Sequence, residues 1–337
     1  MSCGRIPNEA TLAWLLDRTN PTVRYLTMTR LMGVSETDPE VLETRHAIMA
    51  TGPVPELLAG QSTAGYWGKP DRLYTDKYHG TAWRLLILAE LCADGSHPAV
   101  QAACEFILTH SQETTDGGFA MHTSAKAGGG RASEVIPCLT GNMVYSLIQL
   151  GYGDDPRVRR GIDWIVRFQR FDDGIDQAPH GSIYDRYEVC FGKHSCHMGV
   201  VKALKALAVV PVAKRSGDIN STISRGIEYL LAHHLYRRSH DLSKVAKQGW
   251  LRFGFPLMYQ TDVLEILDIL ASLGCRDPRM KDALAVVDAK QGTDGRWKVD
   301  SALESGRLPA RFEVKGEPSK WITLRALHMQ KLLATSA

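Results

Sequence analysis

The chain has 337 residues, 44% of them hydrophobic and 23% charged, and its 40 Lys and Arg against 37 Asp and Glu leave a formal charge of +3. That apolar fraction excludes a disordered chain, and 30 Gly and 15 Pro without a short period exclude a collagen-like or low-complexity one. So small and scattered a charge excess argues against nucleic acid as a partner, and no apolar run approaches the ~18–20 residues of a transmembrane segment.

Taken in chain order, Glu9 to Arg18 reads as a first helix, and Val23 to Gly33 as an apolar helix that stops at a glycine. Asp38-Pro39-Glu40-Val41 then opens another helix, because a proline one step inside, behind a polar cap, suits a helix N-terminus. The same start returns at His97-Pro98-Ala99-Val100, Asp155-Pro156-Arg157-Val158 and Asp277-Pro278-Arg279-Met280, at intervals of roughly sixty residues or twice that. The absent copy falls near Gly217-Asp218-Ile219. Each such helix runs into a turn: Gln61 to Gly65-Tyr66-Trp67, Gln112 to Gly117-Gly118-Phe119, Gln169 to Asp173-Gly174 and Gln291 to Gly295-Arg296-Trp297. The turn is eroded at His233-His234-Leu235-Tyr236, which reads as a solvated basic turn. Between these units lie the apolar helices Thr81 to Leu91, Cys138 to Gly151, Cys196 to Val209, Gln260 to Gly274 and Pro318 to Leu333. Their apolar spacing is helical, and no strand signal accompanies it. The reading is an all-α chain of six helical hairpins stacked into an (α/α)6 barrel. Residues 1–337 then form one α/α toroid domain, with 1–18 supplying an N-terminal outer helix.

The Gln61–Trp67 element and its relatives resemble the QW-type repeat of the squalene cyclase, terpenoid cyclase and protein prenyltransferase superfamily, over about residues 20–335. That resemblance implies an inner and an outer ring of six helices, with a pocket at the N-terminal ends of the inner ones. It also implies an isoprenoid or other apolar substrate with an anionic head. The DxDD string of class II terpene cyclases is absent, however. Asp172-Asp173-Gly174-Ile175-Asp176 matches the magnesium-binding DDxxD pattern of class I synthases, but falls in the repeat's own turn. Protein prenyltransferases hold zinc with an Asp-x-Cys element and a His. Asp76-Lys77-Tyr78-His79-Gly80-Thr81 is similar to the His element, while Glu188-Val189-Cys190 places Glu where the family has Asp.

The densest chemistry lies between Tyr184 and His197. Cys190, Cys196 and His197, with Cys138 from the preceding inner helix, are the candidate metal ligands, because thiolate and imidazole together select zinc. The same thiols read equally as small buried hydrophobes. Asp185, Asp262, Tyr259 and Glu134 are the acid–base candidates. His79, Arg131, Arg186, Lys193 and Trp321 are the candidates for substrate binding, the cations holding an anionic head or pairing with local acids such as Asp76 and Glu134. Gly128-Gly129-Gly130-Arg131 reads as a mobile loop. No nucleotide cofactor is expected, and peripheral membrane contact stays open. Seven cysteines, an odd number, and an N-terminus Met1-Ser2-Cys3-Gly4-Arg5 without an apolar stretch lead to the expectation of a cytoplasmic chain with reduced thiols. A hydrolase or lyase using zinc on a polar substrate, and a non-catalytic toroid that binds partners, are the rival functions.

Overall fold

Residues 8–173, 181, 183–185, 188–191, 194–303 and 306–335 are described by the computed structural model. Helix starts follow the local chemistry. Asp38 accepts a hydrogen bond from Glu40 N at 2.8 Å, His97 from Ala99 N at 3.2 Å, Asp155 from Arg157 N at 2.7 Å and Asp277 from Arg279 N at 2.8 Å. Each cap satisfies a backbone N–H that the first helical turn leaves unpaired.

In chain order the helices are α1 (Glu9–Leu15), α2 (Pro21–Leu26), α3 (Pro39–Ala50), α4 (Pro53–Leu58), α5 (Thr81–Glu90), α6 (Pro98–His110), α7 (Pro137–Leu147) and α8 (Pro156–Phe168). They continue with α9 (Glu188–Phe191), α10 (His197–Ala208), α11 (Gly217–Ala232), α12 (Val263–Ser272), α13 (Lys281–Ala289) and α14 (Lys320–Ala334). Helices α2, α5, α7, α10, α12 and α14 pack side by side as an inner ring, and α3, α6, α8, α11, α13 and α1 lie outside it as their hairpin partners. Thr22 of α2 donates to the carbonyl of Leu91, just past α5, at 3.0 Å and closes the ring. On the other flank, the side chains of Asn8 and Thr11 donate to Asp294 O at 3.1 and 3.0 Å, fastening α1 beside the last inner helix. The architecture is an (α/α)6 barrel.

The glutamine–glycine turns join neighbouring hairpins. Gln112 Nε2 donates to Gly117 O at 2.8 Å in its own turn and to Arg157 O at 2.7 Å in the first turn of the next outer helix. Gln61 does the same toward Gly65 and Ala99. Gly65 sits at φ +87°, and a Cβ there would lie 2.2 Å from Ala102 O, so only glycine fits. The following aromatic is anchored by an inner helix: Trp67 N, Phe119 N and Trp297 N donate to the hydroxyls of Thr81, Thr140 and Thr323 at 3.2, 3.0 and 3.0 Å. Trp297 and Phe119 are fully buried as a result.

Three details differ from the sequence reading. Two small antiparallel hairpins are present, β1 (Thr123–Ser124) with β2 (Gly129–Gly130) and β3 (Arg237–Arg238) with β4 (Asp241–Val245). Three of these strands have two residues, and the five-residue β4 buries no face fully, so neither hairpin leaves an alternating apolar pattern to read. The Gly128–Arg131 segment is therefore paired rather than a free loop; Gly130 is glycine because a Cβ would meet Ser111 O at 2.1 Å. His233, expected in a solvated turn, is buried. Its Nδ1 donates to Tyr229 O at 2.8 Å and its Nε2 lies 3.4 Å from Asp173.

Candidate functional site

Inner helices of a toroid are enclosed on all sides, so their sequences should be apolar throughout. Several of these break that rule at two positions three residues apart: Asn142 and Tyr145 in α7, Lys202 and Lys205 in α10, Glu265 and Asp268 in α12, Arg325 and His328 in α14. Glu90 ends α5, and Arg30 lies in the wide π-helical turn Thr27–Leu31 that extends α2. Ring closure brings these groups together across the bore. Lys202 Nζ donates to both oxygens of Glu265 at 2.8 and 2.7 Å, with the two side chains 1% and 3% exposed. Lys205 reaches Glu265 at 3.1 Å and also bonds Glu90, which Arg325 approaches to 3.6 Å. His328 Nδ1 lies 2.8 Å from Asp268 Oδ1.

Burial by itself would keep Glu90 and Glu265 protonated. The cations around them outweigh it: Lys205 and Arg325 hold Glu90 below the ordinary carboxylate range, and Lys202, Lys205 and Arg325 do so for Glu265. Burial pulls Lys202 down against the pull of Glu265. The network is thus an alternation of buried charges, each neutralised by a neighbour.

A small open cleft lies beside this network, lined by Arg30, Glu90, Tyr145, Asp268, Arg325 and His328 together with Leu26, Cys92, Leu324 and the Phe255–Trp321 pair. Phe255 and Trp321 stack with ring centroids 4.1 Å apart and planes 5° from parallel; both are buried and form the floor. The exposed side chain of Arg30 marks the mouth, near the C-terminal ends of α2 and α5. Because Asp268 accepts, Nδ1–H of His328 is the donor, which leaves Nε2 as the basic nitrogen of a side chain lining the cleft. Of these residues the sequence pointed to Trp321 and Phe255 as aromatics able to line a pocket, and did not single out the charged ones. The signal was present as Lys202/Lys205 and Glu265/Asp268, charged pairs three apart inside apolar runs.

The other sequence candidates lie elsewhere. Asp262 is 1% exposed and caps α12 by accepting from Glu265 N at 2.8 Å; burial raises its pKa to about 6. Glu134 accepts from His122 Nδ1 at 2.6 Å and from Arg131 at 2.9 Å, so Arg131 is already paired. Asp185 accepts from Gly181 N at 3.1 Å within one exposed turn, and His79 Nε2 bonds Gly306 O at 3.1 Å. Tyr259 packs 6.0 Å from Trp83 with Lys77 Nζ 4.2 Å above its ring. Arg186 and Lys193 lie outside the described residues, as does the Gly174–Asp176 part of the acidic string.

Cys138, Cys190 and Cys196 are within electrostatic reach of one another, but burial pushes the Cys138 and Cys190 thiols up to about 12. His197 does not turn toward them in a shared donor set. Its ring stacks on Trp250 at 4.1 Å, neither nitrogen has a hydrogen-bond partner of good geometry among the described residues, and burial beside His233 lowers its pKa to about 3. Among the described residues no group of three or more His, Cys, Asp or Glu side chains is placed to hold a metal ion.

No protein-family model matches the chain, and no curated protein does. Solved structures do resemble it. A D-mannose isomerase aligns over 96% of this chain and 87% of its own, with TM-score 0.52 and 13% identity. A family 76 glycoside hydrolase from a bovine Bacteroides thetaiotaomicron strain aligns over 95% and 68%, with TM-score 0.51 and 12% identity. A type II terpene cyclase from Scytonema aligns over 96% and 98%, with TM-score 0.40 and 14% identity. At these identities the likeness is one of fold: the chain is an α/α toroid. No helix among the described residues is long and apolar enough to cross a membrane.

Proposed function

We propose that the chain is an enzyme that moves a proton on a small polar substrate held in the axial cleft, with His328 as base and Asp268 as the residue that orients it. The supporting observation is the Asp268–His328 pair on the wall of a polar cleft with an aromatic floor. An imidazole held in one tautomer by a carboxylate is an effective general base. In this scheme Nε2 takes a proton from a carbon next to a carbonyl. The C–H electron pair moves into the carbonyl oxygen, where the Arg325 guanidinium offsets the developing charge. Where the deprotonated carbon carries a hydroxyl, transfer of that O–H proton to the enolate oxygen and delivery of the proton on Nε2 to the former carbonyl carbon complete an isomerisation; departure of a β-substituent with its bonding electron pair completes an elimination instead.

Glycoside hydrolysis fits less well, because it needs one protonated carboxyl and Glu90 is held ionised. An isoprenoid substrate is favoured only by the Phe255–Trp321 floor; a hydrocarbon would strip water from Arg30, Asp268 and His328 and offer them no partner. The D-mannose isomerase acts on a polar sugar, and extending that substrate class to this chain is part of the proposal. Zinc among the three thiols is a separate proposal, which metal analysis of the purified protein decides.

The test is solvent deuterium exchange in D2O, followed by proton NMR over a panel of aldoses, ketoses and sugar acids. The wild-type protein is expected to label its substrate next to the carbonyl. H328Q abolishes labelling, and D268N slows it by roughly 10²–10⁴. Labelling by H328Q at the wild-type rate would refute the assignment.

A further inference from the structure

Lys202, Lys205 and Arg325 each face an acidic partner, whereas Arg30 has no ion pair among the described residues. From this, and resting on the reading of the axial cleft as the substrate site, we infer that Arg30 receives the carboxylate of a small hydroxy or keto acid entering at the C-terminal ends of the inner helices. Arg30 is surrounded by the charges of Glu90 and Asp268 and by Tyr145 and Cys92, yet its side chain stays solvent-accessible. That combination describes a cation inside an open cleft rather than one on a convex surface. Its backbone is also fixed. Lys331 Nζ donates to the carbonyls of Arg30 and Leu31, each at 2.9 Å, and ties the wide turn of α2 to α14. Wide π-turns recur where a helix presents a functional side chain.

The charge pattern selects the ligand. A guanidinium offers paired N–H donors that match a carboxylate in bidentate geometry. One unpaired cation balances one negative charge. A phosphate dianion would confront Glu90 and Asp268 with no second unpaired cation among the described residues that line the cleft. With its carboxylate at the mouth, such an acid places its hydroxyl or keto carbons between His328 and the Phe255–Trp321 floor.

Isothermal titration of the full chain with gluconate, glycolate, galacturonate, inorganic phosphate and mannose tests this. At least one of the three carboxylates is expected to bind, with phosphate and mannose at least tenfold weaker. R30Q should weaken the bound carboxylate by about tenfold or more and R30K should recover part of that, with thermal midpoints unchanged. Three results would overturn the inference: no carboxylate binds, phosphate or mannose binds as tightly, or R30Q binds like the wild type. Catalysis is scored separately. If R30Q loses carboxylate binding while H328Q keeps deuterium exchange, the carboxylate site stands and the proton-transfer assignment fails. If H328Q loses exchange while R30Q binds normally, the reverse holds.

Discussion

Replacing Glu265 by Gln removes one negative charge from the centre of the barrel while keeping the shape of the side chain. Glu265 is 3% exposed, accepts from Lys202 at 2.7 and 2.8 Å and from Lys205 at 3.1 Å, and opposes the burial that pulls the Lys202 pKa down. Breaking a buried pair by removing one partner costs about 3–5 kcal/mol, since the remaining charge stays desolvated. The effect should be asymmetric. In K202M, Glu265 still has Lys205 and Arg325, so that variant should lose only about 1–3 kcal/mol. In K202M/E265L, Lys205 keeps Glu90, and stability should return to within about 1–2 kcal/mol of wild type, because an apolar pair of similar volume replaces an ionic one. Urea unfolding at pH 7 measures all three, with an unchanged m-value as the control for two-state behaviour. The pH dependence adds a second readout. The folded pKa of Glu265 is lowered, so its contribution is present above the unfolded value of 4.5 and fades as pH falls below that. E265Q lacks this component. Single substitutions that each cost under about 1 kcal/mol, or a double variant as unstable as the sum of the singles, would refute the reasoning.

The carboxyl of Glu313 is raised by burial to about 7 and accepts from Ser319 at 2.8 Å, so stability should fall as pH rises from 4.5 to about 7. E313Q should flatten that slope in thermal midpoints measured against pH and be the more stable variant above pH 7. A Cβ on Gly141 would lie 2.5 Å from the Lys202 carbonyl group, so G141A should force α7 and α10 apart and cost about 1–3 kcal/mol in urea unfolding. Thr323→Val leaves Trp297 N without its acceptor at 3.0 Å inside the core, and about 1–3 kcal/mol should be lost with little change in volume.

The hairpin repeat was legible because its determinants are local. Asp38, His97, Asp155 and Asp277 bond backbone groups two residues away, and Gly65 supplies the positive φ of its own turn. The stretch from Tyr184 to His197 drew attention for a related reason: its thiols and imidazoles are close in sequence. Proximity along the chain is not proximity of donor atoms: among the described residues no three such side chains are grouped to hold a metal ion, and the His197 ring stacks on Trp250. The axial network is the opposite case. Arg30, Glu90, Lys202, Lys205, Glu265, Asp268, Arg325 and His328 come from five inner helices, and in the sequence nothing links the polar positions of one helix to those of another. Helical periodicity tells which face a residue occupies, but partners across a bore depend on how the ring closes. The repeat and its helix caps are thus written in short-range sequence, while the pairing of buried charges, and the cleft beside them, exists only once the first and last hairpins meet.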